Sequence, residues 1–455
     1  MNYKYLYINS PIWVQNLMIT VYGYILFKQR YGSVYKKTYK KLINRKYLNF
    51  NDELIKQENE LQLFLKKVVI SSKFYADLYQ HIDISTIKNI EDLELLPIVD
   101  KENFRENIDS IYTLKEKEAI VSYTGGTTGK SLKILFDTSD FQKRMAYLDA
   151  FKYKCGIENP ITIRKATFSG RDLSINAKSK VFWRTNYTYN QRIYSTFDLN
   201  DVSIPYYINN LNSFKPKVIN GFVSAIFEIA DYIFRNSIVL DFTPVAIFTT
   251  SETLLPFHRE MIEKVFNAPI FNQYASAEGA PFITECKHNN LHYNLDSGVI
   301  EELKSSFGNQ MVVTSFTSSG TPLIRYNIED CITFKKGTCE CGSIHPLVEK
   351  IEGRSVDYLF SEEKGKVSLS HLADVIKGIP NSIKKMQFIQ ENKEYIVVLI
   401  KIDAKKYLAI HLEEIKKELK IRFGNKMKID VKIVNDIPRE KSGKYLLIKN
   451  KGIIN

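Results

Sequence analysis

The sequence predicts an α/β fold in two domains, a large multi-layer one over residues 1–352 and a small α+β one over residues 353–455. Three observations carry this reading. After Pro97, apolar strand-like runs alternate with helical patterns in the rhythm of βαβ units. Beyond Gly353 the chain starts a helix–strand cycle of its own. A length of 455 residues with 44% apolar and 13% aromatic content supplies well-buried cores and excludes a disordered chain.

Residues 1–45 form an aromatic and basic N-terminal segment. The run PIWVQNLMITVYGYILF, residues 11–27, carries Gln15, Asn16 and Thr20 and sits at the lower length limit for crossing a bilayer. It reads as an amphipathic helix packed on the protein's own core. Lys28, Arg30, Lys36, Lys37, Lys40 and Lys41 follow among tyrosines, which also suits peripheral contact with an anionic membrane face. The formal net charge of +13 fits acidic partners such as nucleotides, but lysine-rich composition alone explains it and no nucleic-acid module accompanies it. No signal peptide is visible, so a cytoplasmic protein is expected, with the inner membrane face as its one peripheral contact.

Helical patterning dominates residues 53–79. AIVSYT and SLKILFD, starting at Ala119 and Ser131, read as two strands. PKVINGFVSAIFEIADYIF reads strand, Gly turn, helix; VAIFTTSE reads as a buried strand; LPFHREMIEKVFNAPIFNQYASAEG gives helix, strand and loop. In the small domain we expect a helix over residues 368–377, a strand at EYIVVLIKI, a helix over 405–423 and a strand at MKIDVKIV.

YTGGTTGKS, residues 123–131, looks like a nucleotide-phosphate loop. A Walker A loop needs Gly, four residues, then Gly-Lys-Ser/Thr. Counting back from Gly129, the required glycine falls on Thr124; the glycine is at Gly125, one residue too late. A strand–turn–strand corner with exposed amides and the hydroxyls of Thr127 and Thr128 can still bind an anion. The alternative is a plain Gly-rich hairpin.

Four further stretches decide the matter by their order: QYASAEG with Glu278, LIRYNIED with Asp330, IEGRSVDYL with Arg354 and IPREKSGKY with Lys444. Behind a Gly/Thr-rich loop they resemble the adenylate-forming superfamily of acyl- and aryl-CoA ligases. The likeness is to the phenylacetate-CoA ligase branch and the CapK-type proteins of capsular polysaccharide clusters, over essentially the whole chain. The resemblance implies that Thr124, Gly125, Gly126, Thr127, Thr128, Gly129 and Lys130 grip the β- and γ-phosphates of ATP. It implies that Ser251 and Glu252, in TTSE, line the adenine site, and that Tyr274, followed by Ala275 and Ser276, edges the purine. Glu278 would hold Mg²⁺, Asp330 the ribose hydroxyls, and Arg354 the hinge and ribose. Lys444, on a small mobile domain, would bridge the substrate carboxylate and the α-phosphate.

Such a set makes an acyl-adenylate from a carboxylic acid and ATP, releasing pyrophosphate, with the substrate carboxylate as nucleophile. Acyl transfer to a thiol follows, with coenzyme A the expected acceptor. The alternatives are transfer to a sugar amine or hydroxyl in surface-polysaccharide synthesis, and a non-catalytic partner in a glycan-assembly complex. The chain departs from the family pattern at Gly125, Ala275, Ala277, Asn327, Glu329 and Val356, while Glu278, Asp330, Arg354 and Lys444 remain. The sequence leaves open whether the chain forms a homodimer.

Of five cysteines, Cys155 and Cys331 read as isolated apolar residues. Cys286, His292, Cys339 and Cys341 make a Cys₃His set suited to a closed tetrahedral zinc site, with His288 competing for the place of His292. Similar positions occur in the phenylacetate-CoA ligase branch. The alternative is a group of reduced cysteines near a turn.

Overall fold

The structure is a computed structural model and describes residues 3–46, 49–124, 131–305, 308–354, 358–369, 372 and 382–451. The residues expected to grip phosphate, Gly125, Gly126, Thr127, Thr128, Gly129 and Lys130, lie outside the described residues. So do Ser355, Val356 and Asp357, the side chain of Arg354, and most of the helix expected over 368–377.

The chain divides into two compact units, one of residues 1–252 and 262–351, the other of residues 253–261 and 352–455. The first begins with α1 (Tyr3–Asn9), α2 (Ile12–Arg30) and α3 (Ser33–Ile43). A long helix, Phe50–Ser71, follows, capped by Asn49, whose side chain accepts from the Asp52 amide at 2.9 Å. The helical run expected to reach residue 79 breaks at Ser72, which is extended, and resumes as Lys73–Leu78.

Strands β1 (Ile120–Tyr123) and β2 (Lys133–Phe136) form the antiparallel hairpin expected around the glycine-rich loop. Next come β3 (Lys165–Ser169), β4 (Trp183–Asn186), β5 (Gln191–Ser195), β6 (Val218–Phe222), β7 (Ala246–Thr250), β8 (Ile270–Tyr274), β9 (Ile283–Glu285) and β10 (Leu291–Tyr293). The series continues with β11 (Gly298–Ser305), β12 (Gly308–Ser315), β13 (Tyr326–Lys335) and β14 (Leu347–Arg354). Strands β3 to β14 form one sheet in the order 11-12-13-14-10-9-8-7-6-3-5-4. Its β5-β3-β6-β7-β8 portion is parallel, while β4 pairs antiparallel with β5, and the runs β8-β9-β10-β14 and β11-β12-β13 are antiparallel. Parallel strands covered on both faces are near-continuously apolar, and Ala246, Ile247 and Phe248 are accordingly all buried. Helix Thr138–Lys154 supplies Phe151 to the core formed with Val218, Phe248 and Phe271. The antiparallel portion shares a second core with Leu61, Phe64, Leu65 and Val68 of the long helix.

The second unit holds the hairpin β15 (Tyr358–Ser361) and β16 (Gly365–Ser368). It also holds a sheet of β17 (Ile383–Asn392), β18 (Tyr395–Ile402), β19 (Lys428–Ile433) and β20 (Ile448–Asn450), in the order 19-18-17-20. Helix Ala409–Phe423 packs Ile415, Leu419 and Phe423 into the core with Phe388 and Val398. It starts four residues later than the periodicity suggests. The Asp403 carboxylate accepts from the Lys405 amide at 3.1 Å and its carbonyl from the Lys406 and Tyr407 amides, and this turn competes with the helix.

Candidate active site

Ligands of open α/β sheets settle beyond the carboxyl ends of the parallel strands. Five of the expected nucleotide residues lie there, with Glu278 beside them. Ser251 and Glu252 follow β7; Tyr274 ends β8; Ala275, Ser276 and Glu278 form the loop after it. Glu252 accepts from both the amide and the hydroxyl of Ser224, at 2.7 and 3.0 Å, so its carboxylate sits at the N-terminus of helix Val223–Arg235. Ser251 adopts φ +67°, a left-handed conformation that costs a side-chain-bearing residue strain and is common beside binding sites.

The Tyr274 hydroxyl donates to Asp330 Oδ2 at 2.6 Å, joining two residues 56 positions apart. Asp330 lies where β13 bulges: the step from Gln310 to Val312 on β12 faces the step from Asn327 to Cys331. Bulges re-aim side chains and cluster beside active sites. The bulge also accounts for two departures from the family pattern. Glu329 takes φ +71° where glycine is expected, and its carboxylate is held by Lys101 at 2.9 Å. Asn327 accepts from the Glu329 amide at 3.0 Å and donates to Gln310 Oε1 at 3.0 Å.

Glu278 is buried, at 6% exposure, in the turn after β8. Sequence reasoning missed what holds that turn. Arg144, from helix Thr138–Lys154, is buried and donates through Nη1 to the carbonyls of Gly279 at 2.8 Å and Ala280 at 3.1 Å, and to Thr317 Oγ1 at 2.9 Å. Nη2 reaches the Ser276 carbonyl at 3.4 Å. The guanidinium also lies 4.4 Å from the Phe282 ring centroid. Burial lowers the Arg144 pKa to about 10, opposed by Asp140, Tyr147 and Glu278. It stays a cation at neutral pH. Asp140, one helical turn earlier, accepts from the amide and hydroxyl of Ser319. In the sequence Asp140 and Arg144 look like an ordinary i,i+4 surface pair, so only a buried helix face could have revealed them.

Thr124 and Ser131 close the ends of the glycine-rich loop. Thr124 Oγ1 accepts from the Leu132 amide at 2.9 Å, and the Ser131 hydroxyl donates to the Thr124 carbonyl at 2.5 Å. In the second unit Lys444 is half-buried and follows the turn Glu440–Gly443, with Gly443 at φ +78°. Two buried acceptors in the parallel portion, Asn220 Oδ1 on β6 and Gln273 Oε1 on β8, have no hydrogen-bond partner among the described residues. Orphaned buried acceptors suit a bound polar ligand or its water.

Away from these strand ends, Cys286, His292, Cys339 and Cys341 converge, their ligand atoms all within 4.8 Å of one another. The Cys286 and Cys339 sulfurs are 3.6 Å apart, and Cys341 Sγ is 3.4 Å from His292 Nε2. A zinc tetrahedron with its usual bond lengths has edges of about 3.5–3.8 Å, so the set fits. His292 Nδ1 donates to the His345 carbonyl at 3.1 Å, which fixes the tautomer and leaves Nε2 for a metal. Burial lowers the His292 pKa and favours the neutral imidazole. Asn290 Nδ2 and the Ser343 amide donate to the Cys339 and Cys341 sulfurs at 3.5 and 3.4 Å. His288, the competing candidate, instead pairs with Glu340 at 3.4 Å.

This fold is shared with solved CoA ligases. The structure matches 2-hydroxyisobutyryl-CoA ligase, solved in its postadenylation state with R3-HIB-AMP, at a TM-score of 0.70 and 15% identity, covering 87% of this chain and 88% of that one. A second form of that ligase, with 2-HIB-AMP and CoA in the thioesterification state, matches at 0.54 and 16% identity over 89% and 90%. Protein CapK of Staphylococcus aureus is 37% identical over 448 residues, 97% of this chain and 98% of that protein. The CapK C-terminal domain family matches residues 359–451. The chain belongs to the CapK family. Indoleacetate–lysine synthetase of Pseudomonas savastanoi is 23% identical over 52% of this chain and 59% of its own length.

Proposed function

We propose that this protein activates a carboxylic acid with ATP, forming an acyl-adenylate and pyrophosphate, and passes the acyl group to coenzyme A. The observation that carries this reading is the Tyr274–Asp330 pair at the strand ends, beside the turn bearing a buried Glu278. ATP supplies the activated phosphate. Asp330 would orient the ribose, Tyr274 would cover the purine edge, and Ser251, Glu252, Ala275 and Ser276 would line the nucleotide. Glu278 would hold Mg²⁺, a hard cation that takes carboxylate and phosphate oxygens. Lys444 and Arg354 would serve the α-phosphate and ribose, and residues 124–130 the outer phosphates. The acid's own carboxylate attacks, so these residues position and neutralise and none acts as nucleophile. Pyrophosphate release with a panel of carboxylic acids, with and without coenzyme A, tests the reading; no release with any acid refutes it.

A second acceptor class is favoured by the likeness to a protein named for joining an acid to an amine. In it the acyl group passes to a sugar amine or hydroxyl, in keeping with a role in surface-polysaccharide synthesis. Mass spectrometry of product formed with coenzyme A against an amino sugar separates the two.

The Cys286–His292–Cys339–Cys341 set would hold a structural zinc. About one zinc per chain is expected by elemental analysis of protein prepared without chelator. Cys339→Ser should lower the melting temperature more than the rate of pyrophosphate release, because these ligands tie β9 and β10 to the 339–341 turn. Metal-free protein with an unchanged melting temperature would exclude the site.

A further inference from the structure

The N-terminal helix α2 is packed the wrong way round for a soluble surface helix. The side turned to the protein carries its polar groups. Asn16 Oδ1 accepts from the Thr185 amide at 2.9 Å, and Thr20 Oγ1 from the Tyr187 amide at 3.2 Å. Gln15 is buried and accepts from Arg184, while the Thr20 carbonyl accepts from the Thr188 hydroxyl at 3.0 Å. Gly23 lies so close to Asn186 that an added Cβ would stand 2.5 Å from its amide nitrogen. These partners belong to β4, the edge strand of the large sheet, and the residues just after it. The polar side of α2 therefore covers the unpaired edge amides.

The opposite side is apolar and left in solvent. Trp13 is 70% exposed, and Leu17, Val21, Tyr22, Tyr24 and Ile25 are each more than half exposed. Trp13, Leu17, Val21, Tyr24 and Lys28 follow one helical stripe, and the Lys28 ammonium lies 4.8 Å from the Tyr24 ring centroid. The next helix, α3, docks through Tyr35 and Leu42 on Ala146 and Ala150, and leaves Lys36, Lys37, Lys40 and Lys41 exposed. The first 50 residues contain nine lysines and arginines and no aspartate or glutamate.

We propose that this N-terminal segment docks the protein on an anionic lipid surface. The α2 stripe enters the headgroup boundary and the α3 lysines lie on lipid phosphates. Aromatic rings with an apolar body and a polar tip, beside lysines, are the composition that settles at that boundary. Charge selects the occupant. A second copy meeting the same patch about a two-fold axis would bring one all-cationic segment against another, whereas an anionic bilayer neutralises it. No described helix is long and apolar enough to cross a membrane, so the contact is peripheral. The proposal does not depend on the ligase reading.

Flotation of the full-length protein with vesicles of phosphatidylcholine, alone or with phosphatidylglycerol, tests it. Co-flotation is expected only with the anionic vesicles and should fall at about 0.5 M salt, where charge attraction is screened. Leu17→Glu with Val21→Glu, and separately Lys36, Lys37, Lys40 and Lys41 each to Glu, should reduce floated protein by about tenfold or more. All six side chains are solvent-facing, so an unchanged melting temperature should accompany the loss. Absence of flotation at low salt overturns the proposal. So does a dimer in light scattering that Leu17→Glu with Val21→Glu dissociates, because a second copy then covers the face.

Discussion

Lys444→Ala is expected to cut pyrophosphate release by about a hundredfold or more, roughly 2.7 kcal/mol of transition-state stabilisation, while ATP binding and the fold persist. The local structure explains why fold and chemistry should separate here. The Lys444 backbone is fixed independently of its side chain: its carbonyl accepts from the Glu440 amide at 2.9 Å, and the Gly443 amide closes the turn on the Glu440 carbonyl at 2.8 Å. The next residues are tied to β17, Tyr445 by a bond from its hydroxyl to the Met386 carbonyl and Leu446 by a 2.7 Å bond from Gln387. Removing the side chain therefore deletes one half-buried cation from a loop that stays in place. Lys444→Arg keeps the charge but changes its shape and should recover part of the rate. Pyrophosphate release at the wild-type rate in Lys444→Ala would remove this lysine from the chemistry.

The fold class was readable because its signals are local. VAIFTT is the apolar run of a parallel strand buried on both faces, and β7 occupies it; the strand–turn–helix reading of PKVINGF matches β6 and the helix after it. The order of the short motifs added the family. What stayed hidden depends on distant partners. Nothing in RYNIED reveals that the chain bulges between Asn327 and Cys331, because a bulge is defined by the neighbouring β12. Tyr274 and Asp330 were each selected, but their hydrogen bond is a product of the sheet. The α2 segment was recognisable as a helix carrying the polar residues Gln15, Asn16 and Thr20. They point inward because β4 offers unpaired amides there, which no periodicity encodes. β17 was overlooked because KKMQFIQEN mixes polar and apolar positions, although its Phe388 is buried.

Arg144 is the clearest case of a residue that burial alone reveals, and its replacement carries the second large expected effect. Arg144→Met should destabilise the protein by about 3–5 kcal/mol, since it leaves several buried carbonyl and hydroxyl acceptors without their donor. Calorimetric or urea unfolding reads this directly. A stability loss alone would fit a purely structural role, so Arg144→Lys is the informative variant. Its single ammonium keeps the charge but cannot span Gly279, Ala280, Thr317 and Ser276 as the planar guanidinium does. The turn bearing Glu278 should then lose its fixed geometry while the fold survives. We therefore expect Arg144→Lys to raise the Mg²⁺ concentration giving half-maximal pyrophosphate release several-fold, in the same direction as Glu278→Gln, because loosened carboxylates bind hard cations less well. Combining the two substitutions should cost less than the sum of the separate effects if Arg144 acts through Glu278. Full additivity, or an unchanged Mg²⁺ requirement in a folded Arg144→Lys protein, would reduce Arg144 to a core contact and leave the Glu278 turn to be positioned by Ser276 Oγ, which accepts from the Gly279 and Ala280 amides at 3.2 and 3.0 Å.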